Sequence, residues 1–475
     1  MSTAALTPSE VEAYLTRIWR QPVRVEALAR IPGGASRETF RFDAIAQGDG
    51  GEETHQLILR REPAKGLIDT ESATEFRAYQ SAAGVVPVPR AIALEPDGAE
   101  LGRPFFIMER VEGGEVAGSF ARDPFGTDGG KLGEAFFGAL GRLAAHDPAG
   151  TPLADHSPTP AADECWRVAL DYWAGVIEED ALLPQPIARA AIRWLRANPP
   201  PPAQRVCIVH GDYRSGNVMH DGAGGMRAMF DWEMAHLGDP LEDLGWALDP
   251  IWDHFIPGSA SGMVPRAEAI AIWERASGLT VAPAAMRWWA LFASVKGCAI
   301  WLSAFREFVD GGRQDPVLAV SGWYTARRQD AIIAAQLGGS TFDPVPAMPT
   351  SDLAQVLLGA GITAAGAGEK VATVDVFAGA TLTVAALLAL LGAQEAEKAA
   401  AWRLADIADM RRLLGDEAPV THEGMTLSAL DTAWATLATD LIAHHDRLAA
   451  SGGNEQSLLD FYRESAARRE LAWPL

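Results

Sequence analysis

The run from Cys207 to Glu233, "CIVHGDYRSGNVMHDGAGGMRAMFDWE", constrains the fold of this chain more than any other. "RVCIV", "NVMH" and "MRAMF" read as short strands, and "DGAGG" turns the chain between the last two. A turn centred near Ala223 brings Asn217 and Asp231 within a residue or two of facing each other at the open end of the hairpin. Asp212 sits on the loop leading in. Carboxylates at this density repel unless a cation or a functional proton lies among them. An amide oxygen beside a carboxylate is a hard-oxygen site of the kind Mg²⁺ takes, and Asp212 is then free to accept a proton from an attacking hydroxyl. Phosphoryl transfer needs this division of labour: metal neutralisation on one side, an oriented nucleophile on the other. A surface hairpin whose Asp and Asn only supply turns accounts for Asp221 but not for Asp212 and Asp231 together.

Charge narrows the class of partner. A formal net charge of −22 argues against non-specific nucleic-acid binding and against anionic membranes. A nucleotide remains compatible, because a metal ion and a few local cations reverse the sign within one cleft. Cys165, Cys207 and Cys298 are odd in number and far apart, giving neither a disulfide framework nor a CxxC metal site, as expected in a reducing cytoplasm. The amino-terminal stretch lacks a basic start followed by an apolar core and reads as a helix opened by Thr7-Pro8-Ser9-Glu10. "VFAGATLTVAALLALLGA", Val376 to Ala393, approaches membrane-spanning length, but it is Ala/Gly/Thr-rich without basic or aromatic belts and is expected to be a buried helix.

Texture divides the chain into residues 1–112, 113–338, a Gly/Pro-rich linker at 339–350, and 351–475. The first block alternates like strands ("VRVEAL", "ETFRFDAIA", "QLILRR", "PRAIALE", "PFFIMERVE"), interrupted by the helical "DTESATEFRAYQSAAG" with Gly84 as its stop. The second is mainly helical and Trp-rich. The last is almost wholly helical in pattern and alanine-rich, and is expected to be an added domain. A small antiparallel sheet joined to a helical lobe predicts an α+β, two-lobed molecule with a ligand cleft between the lobes, followed by an all-α domain.

Several neighbouring residues have simpler explanations. Asp239-Pro240-Leu241-Glu242 reads as a helix start with a capping box, so Asp239 and Asp243 are expected to be structural. His210 is expected to fix the loop by hydrogen bonding. Glu233 and His236 have the ExxH spacing of carboxylate-bridged metal sites, but those need a second copy. Trp289, Phe292 and Lys296 recur at helical spacing, so Lys296 either meets an anionic substrate group or snorkels at the edge of a core helix.

"HGDYRSGN" followed by "FDWE" resembles the motif pair of aminoglycoside phosphotransferase-like kinases, a family that includes choline kinases, and "AHLGDPLEDLGW" is similar to the same family. The resemblance spans roughly residues 20–335. It implies a protein-kinase-like fold, Mg²⁺ as cofactor, ATP or GTP as co-substrate, Asp212 as catalytic base, and Asn217 and Asp231 as metal ligands. The Gly-Gly pair of "IPGGASRETF" lets backbone amides approach a phosphate, and by resemblance the "GGxS" loop, Gly33, Gly34 and Ser36, covers the nucleotide. Protein kinases place a Lys on the third strand, paired with a helix Glu. Here "LILRRE" puts Arg60 at that position, with Arg61 as the fallback, and Glu75 is the candidate partner. "FIMERVEG" is the expected hinge, with backbone groups of Glu109 to Val111 reading adenine.

The acceptor is expected to be a small-molecule hydroxyl, on an amino sugar or amino alcohol or, since similar sequences include kinase portions fused to acyl-CoA dehydrogenases, on a hydroxyacyl thioester. The 351–475 domain is expected to offer a surface for homo-oligomerisation. A non-catalytic nucleotide-binding scaffold is the rival reading, left open by Arg60 in place of Lys.

Overall fold

The alternating runs of the first hundred residues assemble into one antiparallel sheet. In a computed structural model, which describes residues 6–31, 37–48, 51–62, 71–118, 121–310, 315–338, 350–416 and 426–474, helix α1 (Pro8–Trp19) precedes strands β1 (Val23–Arg30), β2 (Glu38–Gly48) and β3 (Gly51–Arg61). Helix α2 (Ser72–Ala82) and strands β4 (Ala91–Glu95) and β5 (Phe105–Glu109) follow, giving the strand order β1-β2-β3-β5-β4. α1 starts as its sequence predicts, with the Thr7 N–H and hydroxyl both donating to the Glu10 carboxylate, at 2.8 and 2.7 Å. Gly84, at φ 81°, follows the end of α2.

Strand β3 departs from simple alternation: all five residues of "LILRR" are buried, because both faces of the sheet are covered. Val11, Tyr14 and Leu15 of α1 pack with Phe42, Leu57, Leu59, Phe105 and Ile107 on one face. Phe106, on the other, lies 6.1 Å from Phe76 of α2. The period-2 geometry therefore aims Arg60 towards α2 and Arg61 away from it. Arg61 binds Glu38 at 2.8 Å, and Arg103 binds the same oxygen at 2.6 Å. Of the two arginines, Arg60 faces the site.

Beyond β5 come β6 (Glu115–Val116), α3 (Gly129–Ala145), α4 (Cys165–Asp180) and α5 (Pro186–Ala197). The motif region then forms β7 (Cys207–Val209), β8 (Val218–His220), β9 (Met226–Met229) and β10 (His236–Gly238). β8 pairs with β9 and β6, and β7 pairs with β10. The turn between β8 and β9 is held by Asp221, whose carboxylate accepts the N–H groups of Ala223 and Gly225 at 2.9 and 2.8 Å. Helices α6 (Leu241–Ala247), α7 (Arg266–Ser277) and α8 (Pro283–Asp310) follow. Met1–Val168 and Pro200–Trp289 form one compact unit that contains the sheet and the whole motif region.

Ala169–Pro199 and Ala290–Leu475 form the second unit. It is built from α9 (Pro316–Val320), α10 (Ala326–Gly338), α11 (Asp352–Ala372), α12 (Val376–Leu413), α13 (Leu427–Ala450) and α14 (Gln456–Arg469), with α5 and parts of α4 and α8. Apart from Thr350, the expected linker lies outside the described residues. The carboxy-terminal helices share their unit with α5 and α10 through ion pairs: Arg327–Glu395 at 2.6 Å, Asp330–Arg469 at 3.1 Å and Arg193–Asp446 at 2.6 Å. Lys296 does not snorkel: it is 1% exposed, with its ammonium 5.5 Å from the centroid of the Trp173 ring.

The expectation of a buried helix at Val376–Ala393 is corrected. Of the most apolar 18-residue window of α12, only a third is buried, whereas the comparable window of α8 is 78% buried. α11 and the first half of α12 form a helical hairpin closed by a seam of small residues. A Cβ on Gly361 would lie 2.8 Å from Leu390, and one on Gly379 would lie 2.5 Å from Ala372. Glycines let the backbones approach, and each helix buries only the stripe that faces its partner.

Deeper in this unit, Asp406 is fully buried and accepts from Ser465 Oγ (2.5 Å), Trp434 Nε1 (3.2 Å) and Arg468 (3.0 Å). Removing the carboxylate takes the acceptor from Ser465 and Trp434, while Arg468 keeps Asp409 at 2.6 Å and Glu464 at 3.1 Å. Asp406→Ala is expected to lower the stability of this unit by about 3 kcal/mol, read as a lower midpoint for its transition in denaturant unfolding.

Candidate active site

Asp212 lies on the loop between β7 and the start of β8, and this loop is fixed from beneath by α6. The Asp243 carboxylate accepts the N–H of His210 at 2.6 Å and that of Gly211 at 2.9 Å. Gly211 is required here: its φ is 85°, and a Cβ would fall 2.3 Å from the Met234 carbonyl oxygen. The imidazole of His210 is buried. Its Nδ1 accepts the N–H of Asp212 at 3.0 Å, so Nε2 carries the proton and donates to the Phe230 carbonyl at 2.9 Å. With both nitrogens engaged, His210 joins the Asp212 loop to the Asp231 loop.

The Asp212 side chain is surrounded by donors. Trp246 Nε1 reaches Oδ1 at 2.7 Å, Arg214 Nε lies 3.2 and 3.1 Å from the two oxygens, and Asn217 Nδ2 reaches Oδ2 at 2.7 Å. Arg214 in turn lies 4.8 Å from the centroid of the Trp252 ring. Asn217 Nδ2 also donates to the Asp212 carbonyl at 2.9 Å, which occupies both amide hydrogens and leaves Oδ1 for another partner. The Asn217 carbonyl accepts the N–H of Phe230 at 2.8 Å, so Asn217 and Asp231 sit one residue out of register at the end of the β8–β9 pair.

Asp231 has φ 66°, a left-handed conformation that Asp tolerates, and its N–H donates to the buried Tyr79 hydroxyl of α2 at 3.0 Å. Arg60 on β3 donates to Asp231 Oδ1 at 2.8 Å and pairs with Glu75 Oε1 at 2.8 Å. Arg37 binds the other oxygen of Glu75, also at 2.8 Å, and Ser72 Oγ at 3.1 Å. Burial pushes the Asp231 carboxyl upward, but the charge and hydrogen bond of Arg60 outweigh it and hold Asp231 below the usual carboxylate range. Burial raises Glu75, against the pull of Arg60 and then Arg37. Glu233, buried and 3.8 Å from Arg37, is pushed up to about 8 by burial and by the nearby Asp231 charge.

A metal and a nucleotide fit some of these residues better than others. Asp231 and the free Oδ1 of Asn217 are two hard oxygens, a donor set suited to Mg²⁺ completed by water and phosphate. Among the described residues there is no cluster of three or more His, Cys, Asp or Glu that could hold a metal by itself. Gly33, Gly34 and Ser36 lie outside the described residues. At the expected hinge, the N–H of Glu109 donates to the Arg90 carbonyl and that of Arg110 to the Gln56 carbonyl, both at 2.9 Å. Two of the three amides expected to read a base therefore already serve the sheet.

Sequence reasoning missed Arg37, Tyr79, Arg214 and Trp246, and set Glu233 aside. Arg37 directly follows the Gly-Gly loop and could have been read as a second cation. Nothing in the sequence places Trp246 or Tyr79 against residues 34 and 152 positions away. Asp239 and Asp243 are structural in the geometry observed: Asp239 Oδ1 accepts the N–H of Leu241 at 2.9 Å, and Glu242 Oε2 lies 3.1 Å from His236 Nε2.

The family model described as the phosphotransferase enzyme family matches residues 27–289, more than half of the chain. The chain belongs to this family. The fold agrees: a crystal structure from Ralstonia eutropha, provisionally assigned as an aminoglycoside phosphotransferase, superimposes with a TM-score of 0.55 at 21% identity, covering 71% of this chain and all of that one. Among curated proteins, this phosphotransferase-family chain is 30% identical over 202 residues to mouse acyl-CoA dehydrogenase family member 10, covering 40% of this chain and 18% of the relative. It is 24% identical over 264 residues to human acyl-CoA dehydrogenase family member 11, covering 53% of this chain and 32% of that protein. The chain thus matches a third or less of the length of these relatives.

The burial of Asp239 has a measurable consequence. Burial pushes its carboxyl up to about 6 from 3.8. The folded state therefore holds the proton more tightly than the unfolded chain, so this group contributes most stability below about pH 4 and loses that contribution as pH rises towards about 6. Asp239→Asn keeps an acceptor for Leu241 and removes the charge. It is expected to flatten this part of the profile and to raise stability near pH 7 by on the order of 2 kcal/mol, measured by urea unfolding across that range.

Proposed function

We propose that this protein is a phosphotransferase that moves the γ-phosphoryl group of ATP or GTP, with Mg²⁺, to a hydroxyl of a small molecule in the cytoplasm. The observation that carries this reading is the separation of two carboxylates with different partners: Asp212 among neutral and cationic donors on its loop, and Asp231 bonded to Arg60. Asp212 takes the proton of the acceptor hydroxyl as its oxygen bonds to phosphorus and the bond to the β-phosphate oxygen breaks, releasing the nucleoside diphosphate. Trp246 and Asn217 hold the Asp212 carboxylate in one orientation for that transfer. Asn217 and Asp231 would hold Mg²⁺, which supplies charge neutralisation on the phosphates. Arg60 keeps Asp231 ionised for this role, its guanidinium held between Asp231 and Glu75. The "GGxS" loop of Gly33, Gly34 and Ser36 is proposed to cover the phosphates, and the hinge carbonyls with Val111 to contact the base.

For the acceptor we favour a hydroxyacyl thioester over an amino sugar or amino alcohol. The support is that the matched stretch recurs as a minor part of chains named as acyl-CoA dehydrogenase family members.

A panel of hydroxyl acceptors with γ-labelled nucleotide tests the reading. Asp212→Asn is expected to lower kcat by roughly 10²–10⁴ with little change in nucleotide affinity, whereas Asp231→Asn is expected to raise the Mg²⁺ concentration needed for half-maximal rate. Nucleotide binding with no transfer to any hydroxyl acceptor would instead mean a non-catalytic scaffold.

A further inference from the structure

The Asp212 carboxylate is already saturated with donors. A carboxylate offers about four lone-pair positions. Trp246 Nε1 takes one on Oδ1 and Asn217 Nδ2 one on Oδ2, while Arg214 Nε, 3.2 and 3.1 Å from the two oxygens, covers the other side of both. An acceptor hydroxyl that bonds to Asp212 therefore displaces a donor. Trp246 is fully buried and packs edge-on against Trp252, with ring centroids 5.3 Å apart. Asn217 is buried and is pinned a second time by the Asp212 carbonyl at 2.9 Å. Arg214 is the partly exposed donor of the three, its side chain 18% accessible and its guanidinium 4.8 Å from the Trp252 centroid. It is the donor that can give way, because a flat ring face lets a planar guanidinium turn and keep its contact.

A guanidinium that leaves its carboxylate in a half-buried site needs another anion. We infer that Arg214 is a catalytic residue, which passes from Asp212 to the transferring phosphoryl group as the acceptor hydroxyl takes its place. The inference rests on the phosphotransferase reading above. Position favours it: an acceptor oxygen within hydrogen-bond reach of Asp212 lies beside Arg214 Nε, and the phosphorus it attacks is one bond further on. Asp231, pushed up by burial and held low first by Arg60, is lowered further by the charge of Arg214, so the guanidinium acts on both acids. Charge balance favours it as well. Arg60 is held between Asp231 and Glu75, and Arg37 by Glu75 and Ser72, so both keep their partners throughout. Asp212 does not stay a charged partner. As the acceptor oxygen bonds to phosphorus, its proton passes to Asp212, the bond to the β-phosphate oxygen breaks, and the nucleoside diphosphate leaves with that electron pair. Arg214 thus loses its counter-charge in the step where the phosphoryl oxygens need a cation, and its contact with them is stronger in the transition state than before it.

Transfer from γ-labelled ATP, to the best acceptor of the panel and to water, tests the inference in wild type, Arg214→Ala and Arg214→Lys. ADP binding is measured alongside, with and without aluminium fluoride, which mimics the transferring phosphoryl group. Arg214→Ala is expected to lower kcat roughly 10²–10³-fold, with ADP affinity and the KM for nucleotide and acceptor little changed. Unchanged ADP affinity shows that the variant is folded. Methylguanidinium is expected to restore part of the lost rate, and Arg214→Lys to fall between wild type and Arg214→Ala. Aluminium fluoride is expected to tighten ADP binding about 100-fold in wild type and far less in Arg214→Ala, a difference that a role confined to orienting Asp212 does not produce. Two results overturn the inference and leave the phosphotransferase reading intact. One is an Arg214→Ala variant that transfers like wild type; the other is a variant that raises only the acceptor KM, which would put Arg214 on an anionic group of the acceptor. A wild type that transfers to no acceptor, water included, overturns that reading and the inference with it.

Discussion

A single buried guanidinium organises the site. Arg60 joins β3 to Glu75 of α2 and to Asp231 beyond β9, so one side chain ties the sheet, its helix and the acidic loop together. A lysine could not span two carboxylates with a planar fork in this way, and an arginine stays charged at any relevant pH. The departure from the protein-kinase lysine is accompanied by its own compensation. Two carboxylates flank Arg60, and Arg37 approaches the far side of Glu75, so no buried charge stands alone.

The second constraint is rigidity of the Asp212 loop. Asp243 holds two successive amides, His210 bridges the loop to Phe230, and Asn217 closes back onto Asp212. These bonds are local in space but come from α6, β7 and the β8–β9 hairpin. The hairpin "DGAGG" sets the register that leaves Asn217 opposite Phe230 and one step from Asp231. Burial then sorts the acids: Asp231 is held ionised by Arg60, while Glu233, two residues on and with Arg37 only at 3.8 Å, is pushed up.

Much of this was legible in the sequence because it depends on short-range periodicity and turn chemistry. The strand runs, the Asp221 turn, the cap of α1 and the grouping of Asp212, Asn217 and Asp231 all follow from residues a few positions apart. Burial was less legible. Val376–Ala393 has the composition of a core helix, yet whether such a helix is covered depends on how many neighbours pack around it, and here α11 covers one stripe. Lys296 shows the reverse, a charge on an apolar stripe that lies fully inside its unit against Trp173.

The sequence by itself determined the residue types and spacings of the acidic site, the antiparallel sheet with the helices that precede and interrupt it, and the helical character of the last quarter. Those features are set by local backbone preference and by alternation, which act over a few residues. Only the tertiary structure decided that Arg60 rather than Arg61 faces the acids, that Trp246 and Tyr79 serve Asp212 and Asp231, and that α5 and α10 share a unit with the carboxy-terminal helices. Each of those outcomes rests on contacts between segments tens to hundreds of residues apart, whose energy depends on burial and geometry that no local pattern encodes.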